Sequence, residues 1–304
     1  MLSTAVVVAL VAATAVAFAL TEGVKLERSP IYKTNVDKVF SPACGARCAT
    51  NVARIDFRLR KREHLTVWVE HDGRRTTIVP GRTYRPGKVS LVFTGVTSSG
   101  TTLPDGIYQP VVHLGFSHRT ITLPNTIRID TKPPVVTVHH PQHAVISPDG
   151  DGRRDSFRTA YRVSEPARAI LRVDHRQVVV TYRKPLRGTL TWNGRLDGRP
   201  ARPGNHLLEI SARDPAGNEA KPFPFAIVQI RFVALGRKRI VVGPGARFAI
   251  RVSADARRVT WLLHARTGLA KPGTLRIRAP RSRGVYRLYV TAAGHAAKAT
   301  LVVA

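Results

Sequence analysis

Acidic residues are scarce in this chain. In 304 residues, 19 Asp+Glu face 49 Lys+Arg, for a formal net charge of +30 at pH 7 and a pI near 11.5. A balance this basic points to polyanionic partners: nucleic acid, anionic lipid head groups or acidic cell-wall polymers. Only 11 of the 49 cations are Lys, a composition that also suits plain surface use of Arg. Cysteine is nearly absent. Cys44 and Cys48 in "SPACGARC" are the only two, too few for a zinc site, which needs further Cys or His ligands at suitable positions. Two thiols this close can form a disulfide, which fits an oxidising compartment, or remain unpaired. Catalytic signatures are missing as well. There is no Gly-x-Ser-x-Gly, no His-Glu-x-x-His and no Gly-rich phosphate loop on a strand–helix unit, and no carboxylate pair is nominated by spacing. The expectation is a protein that is not an enzyme.

What is present is enough apolar mass, 43% of residues, to fold two or three small domains. "MLSTAVVVALVAATAVAFAL" opens the chain as an uncharged apolar run long enough to span a bilayer core. Ala17-Phe18-Ala19 offers a small-x-small pattern for a signal peptidase, so a cleaved signal and a retained anchor both stand. The anchor is favoured because the run exceeds a usual signal core of about 7–15 residues. No cation precedes the run, whereas Lys25, Arg28 and Lys33 follow it, which on the positive-inside rule alone would leave the body in the cytoplasm. Folded domains translocate largely regardless of such charge, so the expected location is the cell envelope, with an extracytoplasmic body or a secreted one after cleavage.

Beyond residue 22 no segment shows a convincing 3.6-residue stripe, which leaves little room for helix. Instead, apolar and polar residues alternate. "ARIDFRL" sets Ala53, Ile55, Phe57 and Leu59 on one face, and "LTVWV" does so with Leu65, Val67 and Val69. Similar runs recur in "SLVF", "IYQPVVHL", "SFRTAYRV", "AILRV", "TLTW" and "LLEISA", separated by Gly, Pro, Asn and Asp. Many short strands with frequent turns predict β-sandwiches in series.

Internal repetition supplies the count. "FSPACGARCATNVARIDFRLRKREHLTVWV" aligns with "ISPDGDGRRDSFRTAYRVSEPARAILRV" across a two-residue gap in the loop. Ser41-Pro42 then meets Ser147-Pro148, and Phe93-Thr94-Gly95 meets Trp192-Asn193-Gly194. The predicted order is a signal or anchor over 1–22, a connector over 23–39, one domain over 40–132, its repeat over 133–233, and a third β-rich domain over 234–304. Pro133-Pro134 stiffen the junction between the first two. The segment from Phe232 onward holds 15 Lys+Arg and one acid, Asp255, a net +14 of the chain's +30. Arg237, Lys238, Arg239, Arg257, Arg258, Arg276, Arg278, Arg281 and Arg283 are its candidate polyanion contacts.

The loop Ser147-Pro148-Asp149-Gly150-Asp151-Gly152, the run Ser164-Glu165-Pro166-Ala167, Trp192-Asn193-Gly194 and Pro203-Gly204 together resemble the FlgD-type immunoglobulin-like domain. That β-sandwich module belongs to the flagellar hook-capping protein and recurs in bacterial surface and secreted proteins. The likeness covers about 140–233 and, more loosely, 38–131. It implies an all-β chain of tandem immunoglobulin-like sandwiches preceded by one N-terminal transmembrane or signal helix. Such modules act as spacers, scaffolds and adhesive parts. An apolar leader and a repeated module argue against a flagellar role.

Three aspartates in the Ser-Pro loop invite a calcium test. Counted from Ser147 as an EF-hand, Asp149, Asp151, Gly152 and Asp155 fall at positions three, five, six and nine, but the twelfth is Arg158, so an EF-hand is excluded. Two readings remain: a calcium site on Asp149, Asp151 and Asp155, or a tight turn in which the carboxylates accept from neighbouring N–H groups, the turn leading. "HHPQH" offers His139, His140 and His143 as transition-metal candidates, with an exposed linker the better reading. Of the tryptophans, Trp192 reads as structural, and Trp68, opposite Leu65, Val67 and Val69, as an exposed carbohydrate-platform candidate. Trp261 is the third. No cofactor is expected apart from that calcium. The chain thus reads as a non-catalytic envelope protein, held to the membrane by its N-terminal helix, that contacts an anionic polymer or an envelope protein partner, with no specific nucleic acid. A ligand-free spacer and an assembly scaffold are the alternatives.

Overall fold

The structure is a computed structural model that describes residues 2–26, 28–46, 48–139 and 143–304, with helix side chains described at residue 4 and residues 6–18. The N-terminal run forms one helix, Leu2–Leu26, four residues longer than the sequence boundary. Val6, Val7, Leu10, Val11 and Phe18 are exposed along it. Among the described residues no helix is long and apolar enough to cross a membrane, so the structure adds no support to the expected spanning anchor.

Among the described residues all else is strand, turn and irregular chain, gathered around three separate hydrophobic cores. The chain divides into two compact units, Met1–Thr131 and Lys132–Ala304, the second holding two of the three sandwiches. In the first unit, one sheet joins Ile31–Val36, Ala53–Leu59 and Gly87–Phe93. The other runs in the order Val39–Phe40, Ile127–Ile129, Gly106–Leu114, Glu63–His71, Arg74–Tyr84. Ile31–Val36 lies within what the sequence presents as a connector over 23–39, and Val39–Phe40 straddles its end. "IYKTNV" buries only its two ends because it is an edge strand, so its alternation is too faint to read.

The second and third sandwiches repeat the plan with three strands facing five. Val136–His139, Phe157–Val163 and Arg187–Trp192 oppose the sheet ordered His143–Ile146, Phe223–Ile230, Gly204–Arg213, Arg168–Val173, Arg176–Val180. Val233–Leu235, Arg247–Ala254 and Gly273–Arg278 oppose the sheet ordered Arg239–Val242, His295–Val303, Gly284–Ala292, Val259–Leu263, Arg266–Ala270. In each, the opening strand is split. Its first piece pairs antiparallel in the small sheet, and its second crosses to pair parallel with the last strand: Val39 with Arg128, His143 with Ile227, Arg239 with Thr300. That switch between sheets closes an immunoglobulin-like sandwich.

Alternation accounts for the cores. Ala53–Leu59 buries every second residue and leaves those between exposed or, at Asp56, half-buried, and Phe157–Val163 alternates strictly between buried and exposed. Arg74–Tyr84 carries Pro80 and Gly81 yet remains a strand, because it is the last strand of its sheet and its pairing with Glu63–His71 shifts register beside the proline. Proline is tolerated at edges and bulges, where its missing N–H is not needed.

A polar bond pins the same corner in each sandwich. The Tyr108 hydroxyl donates to Pro104 O at 2.8 Å and the Tyr286 hydroxyl to Ser282 O at 3.0 Å, while His206 Nε2 sits 2.8 Å from Arg202 O. Each follows a strand-initial glycine, in "GIY", "GVY" and "GNH". The arrangement is a tyrosine corner, with histidine substituting in the second sandwich.

Candidate functional site

The two Ser-Pro loops align in space as in sequence. Ser41 N–H donates to Thr50 O and Ser147 N–H to Arg154 O, both at 2.9 Å. The first loop closes nine residues on and the second seven, which accounts for the two-residue gap. Pro42 Cγ lies 3.0 Å from where a side chain on Gly95 would begin, and Pro148 Cγ lies 2.5 Å from the same point on Gly194. Both glycines have φ +70. Each proline therefore needs a residue without a side chain beneath it, held in a left-handed turn that glycine adopts at no steric cost.

The first loop is closed covalently: Cys44 and Cys48 form a disulfide. The second is closed by carboxylates. Asp155 Oδ1 accepts from Asp149 N at 3.1 Å and Gly150 N at 2.8 Å, and its Oδ2 accepts from Gly152 N at 2.8 Å. Asp149 Oδ1 accepts from Asp151 N at 3.3 Å, and Asp151 Oδ1 from Arg153 N at 2.8 Å. The three carboxylates lie within 4.8 Å of one another. Burial pushes the Asp149 carboxyl above its ordinary range, with the Asp151 and Asp155 charges adding to the rise. Their oxygens serve mainly as acceptors for the turn's own amides, the Asp155 carboxylate accepting from three of them.

This loop lies at the junction of the second and third sandwiches. Ser147 Oγ donates to Asp255 Oδ2 at 2.7 Å. Arg231 N–H donates to Ile146 O at 2.9 Å, and Phe232 stacks on His295 with ring centroids 3.7 Å apart and 4° between planes. Beside it opens a shallow cavity of about 410 Å³ lined by Asp149, Asp151, Ala256, Arg257 and Ala293.

The nine candidate cations are all exposed, but they form no single patch. Arg237 and Lys238 lie in the connection between the two sheets, and Arg239 begins the strand beyond it. Arg257 and Arg258 lie in the turn at the junction end. Arg276 and Arg278 point outward from Gly273–Arg278, and Arg281 and Arg283 occupy the following loop. Two further outward arginines on the neighbouring strand, Arg247 and Arg251, escaped the sequence reading. Their signal was the period-two alternation of "RFAIRV".

Trp68 corrects an expectation. It is 9% exposed, its Nε1 donates to Glu70 Oε1 at 2.8 Å, and the Arg75 guanidinium lies 4.9 Å from its ring centroid. The outer face of the sheet is covered there by long side chains, so no carbohydrate platform is offered. Trp192 is 1% exposed, with Nε1 donating to Arg195 O at 2.9 Å, and Trp261 packs against the third core. Of the histidines, His139 and His143 fall in different sheets, and His140 lies outside the described residues.

A second polar cluster sits on the outer face of the middle sandwich. Glu219 accepts from Arg172 at 2.6 Å, Ser211 at 2.9 Å and Arg213 at 2.6 Å. Burial alone would raise the Glu219 carboxyl, but the bonds from Arg213, Arg172 and Ser211 together outweigh it and hold the group below its ordinary value. The sequence marks this loop only as "DPAGNEA", a turn.

No protein-family profile matches the chain, and no characterised protein sequence does. The FlgD-type resemblance thus remains one of motifs. Among solved structures, the chain is similar to fibronectin(III)-like modules of CbhA from Clostridium thermocellum, with 16% identity, 66% of this chain and 94% of that one covered, and a TM-score of 0.37. It is similar to the titin I-band fragment I67–I69, with 11% identity, 91% and 99% covered, and a TM-score of 0.33. Immunoglobulin domains 1–5 of Sidekick-1 align at 14% identity over 90% of this chain and 59% of that one, with a TM-score of 0.28. The fold assignment rests on the chain's own architecture: all-β, with tandem immunoglobulin-like sandwiches.

Proposed function

We propose that this protein is a non-catalytic adhesive component of the cell envelope whose third sandwich contacts an anionic surface polymer. The observation that carries the reading is the exposure of all nine candidate cations on a domain whose one acid, Asp255, is engaged by Ser147. Cations without internal partners bind polyanions by releasing condensed counterions, so affinity falls steeply with salt. The disulfide fits an oxidising compartment, and the exposed apolar helix Leu2–Leu26 is the part that would engage a membrane or be removed as a signal. The test is salt-dependent retention of the full chain on immobilised anionic polymer. Release at rising salt is expected, and no retention at low ionic strength rejects the reading.

The bonded junction between the second and third sandwiches favours a second role as a stiff spacer. The Ser147–Asp255 hydrogen bond and the Phe232–His295 stack cross it. Disrupting the junction without loss of polymer retention would separate the two roles.

A further inference from the structure

We infer that the polyanion contact extends beyond the third sandwich through a feature repeated in all three, an outward Arg-x-x-x-Arg pair on the middle strand of each three-stranded sheet, and that its ligand is a linear phosphodiester polymer without bases. The inference rests on the polyanion reading above. The pairs are Arg54 and Arg58, Arg158 and Arg162, Arg247 and Arg251, each exposed, on Ala53–Leu59, Phe157–Val163 and Arg247–Ala254. A spacing of four keeps both on one face of a strand, roughly 13 Å apart.

In each sandwich one member of the pair faces another cation directly across the ladder: Arg58 opposite Lys88, Arg162 opposite Arg187, Arg247 opposite Arg278. Like charges at opposed positions destabilise a sheet; in the second and third sandwiches no acid on these strands offsets the pairing, whereas in the first Lys88 is paired with Asp56. Internal neutralisation is scant. Across these nine strands the only acid is Asp56, which is taken by Lys88 at 3.0 Å and Ser90 at 2.5 Å. An external anion that relieves the repulsion is the complement such a face requires.

The chemistry narrows the anion. In the second and third sandwiches, guanidiniums brought to one point from two strands, Arg162 with Arg187 and Arg247 with Arg278, suit a phosphodiester, whose acceptor lone pairs radiate from a tetrahedral centre. A carboxylate offers its acceptors in one plane, which a single guanidinium fork occupies. Between the arginines lie Asp56, Ala160 and Ala249; of the rings beside the stripe, Tyr32, opposite Arg58, is covered by the Arg60 guanidinium 4.4 Å from its centroid, and His139 lies opposite Ala160, so the face has little of the stacking surface that single-stranded nucleic acid uses. Repetition along one chain adds avidity.

The test is titration of the full chain with poly(glycerol phosphate), polygalacturonate and oligothymidylate at matched charge, from 50 to 200 mM salt. Replacing the six stripe arginines by Ser should lower the slope of log affinity against log salt by about 4. Replacing five exposed loop cations that no contact is assigned to, Lys61, Arg62, Arg85, Arg183 and Lys184, by Ser should leave most binding intact. A Lys-for-Arg variant at the six positions, which retains charge and guards against misfolding, should keep the salt slope but lose the preference for the phosphodiester. Equal loss in the stripe and loop variants overturns the stripe while leaving the polyanion reading standing. Preference for polygalacturonate or oligothymidylate, or an unchanged preference in the Lys variant, overturns the assigned ligand. Wild-type chain that binds none of the three at 50 mM salt rejects both inference and reading.

Discussion

Tyr108 and Pro104 are joined by a 2.8 Å hydrogen bond from the phenol to a carbonyl four residues upstream, and the ring that makes it is 2% exposed. The bond ties the turn leading into Gly106–Leu114 to the strand itself, and Tyr286 with Ser282 repeats it in the third sandwich. Tyr108→Phe keeps the buried ring and leaves the carbonyl without this donor. The expected loss is about 1 kcal/mol, seen as a melting transition of the first unit lowered by a few degrees while that of the second unit stays in place.

The Asp155 carboxylate holds three amides of the second Ser-Pro loop, bonds that suffice for the turn reading of the loop. Calcium or chelator is expected to leave the melting temperature of the second unit unchanged, whereas Asp155→Ala should lower its stability by roughly 1–3 kcal/mol. A calcium-dependent rise in melting temperature would reassign the loop as a metal site.

The disulfide closes a short loop in the first unit only. Cys44→Ser with Cys48→Ser should cost about 2 kcal/mol by loop-closure entropy. Calorimetry with and without reductant should show the same shift in the first unit and none in the second.

Glu219 supplies a pH dependence of definite sign. Its folded carboxyl lies below the ordinary value, so its stabilisation is fully present above the unfolded carboxyl range, near 4.3, and is lost as pH falls through the depressed folded value. Glu219→Gln should therefore lose on the order of 1–3 kcal/mol at pH 7 and show a shallower fall in stability on acidification. Parallel curves for the two proteins below pH 5 would remove Glu219 from the acid response.

Some of this is legible from order and alternation alone. The strands of "ARIDFRL" and "SFRTAYRV" lie where period two places them, because residues on a half-buried strand must alternate between core and water. The duplicate Ser-Pro loops were legible because each proline rests on an invariable partner within the repeat, Gly95 or Gly194, which share a left-handed backbone. Edge strands were harder: "IYKTNV" faces less core and "RRTTIVPGRTY" carries Pro80, so neither shows a clean period. Trp68 misled because its face of the sheet is covered by Glu70, two residues along the same strand, and by Arg75, a neighbour set by cross-strand pairing that alternation alone does not show.

The sequence by itself determined the all-β class, the repeat and the uneven distribution of charge, since these follow from alternation, turn residues and composition. Tertiary structure decided which cations share a surface. Arg58 and Lys88 are thirty positions apart and Arg247 and Arg278 thirty-one, yet sheet register sets each pair face to face. Register depends on how two strands pack against a common core, which no local pattern encodes.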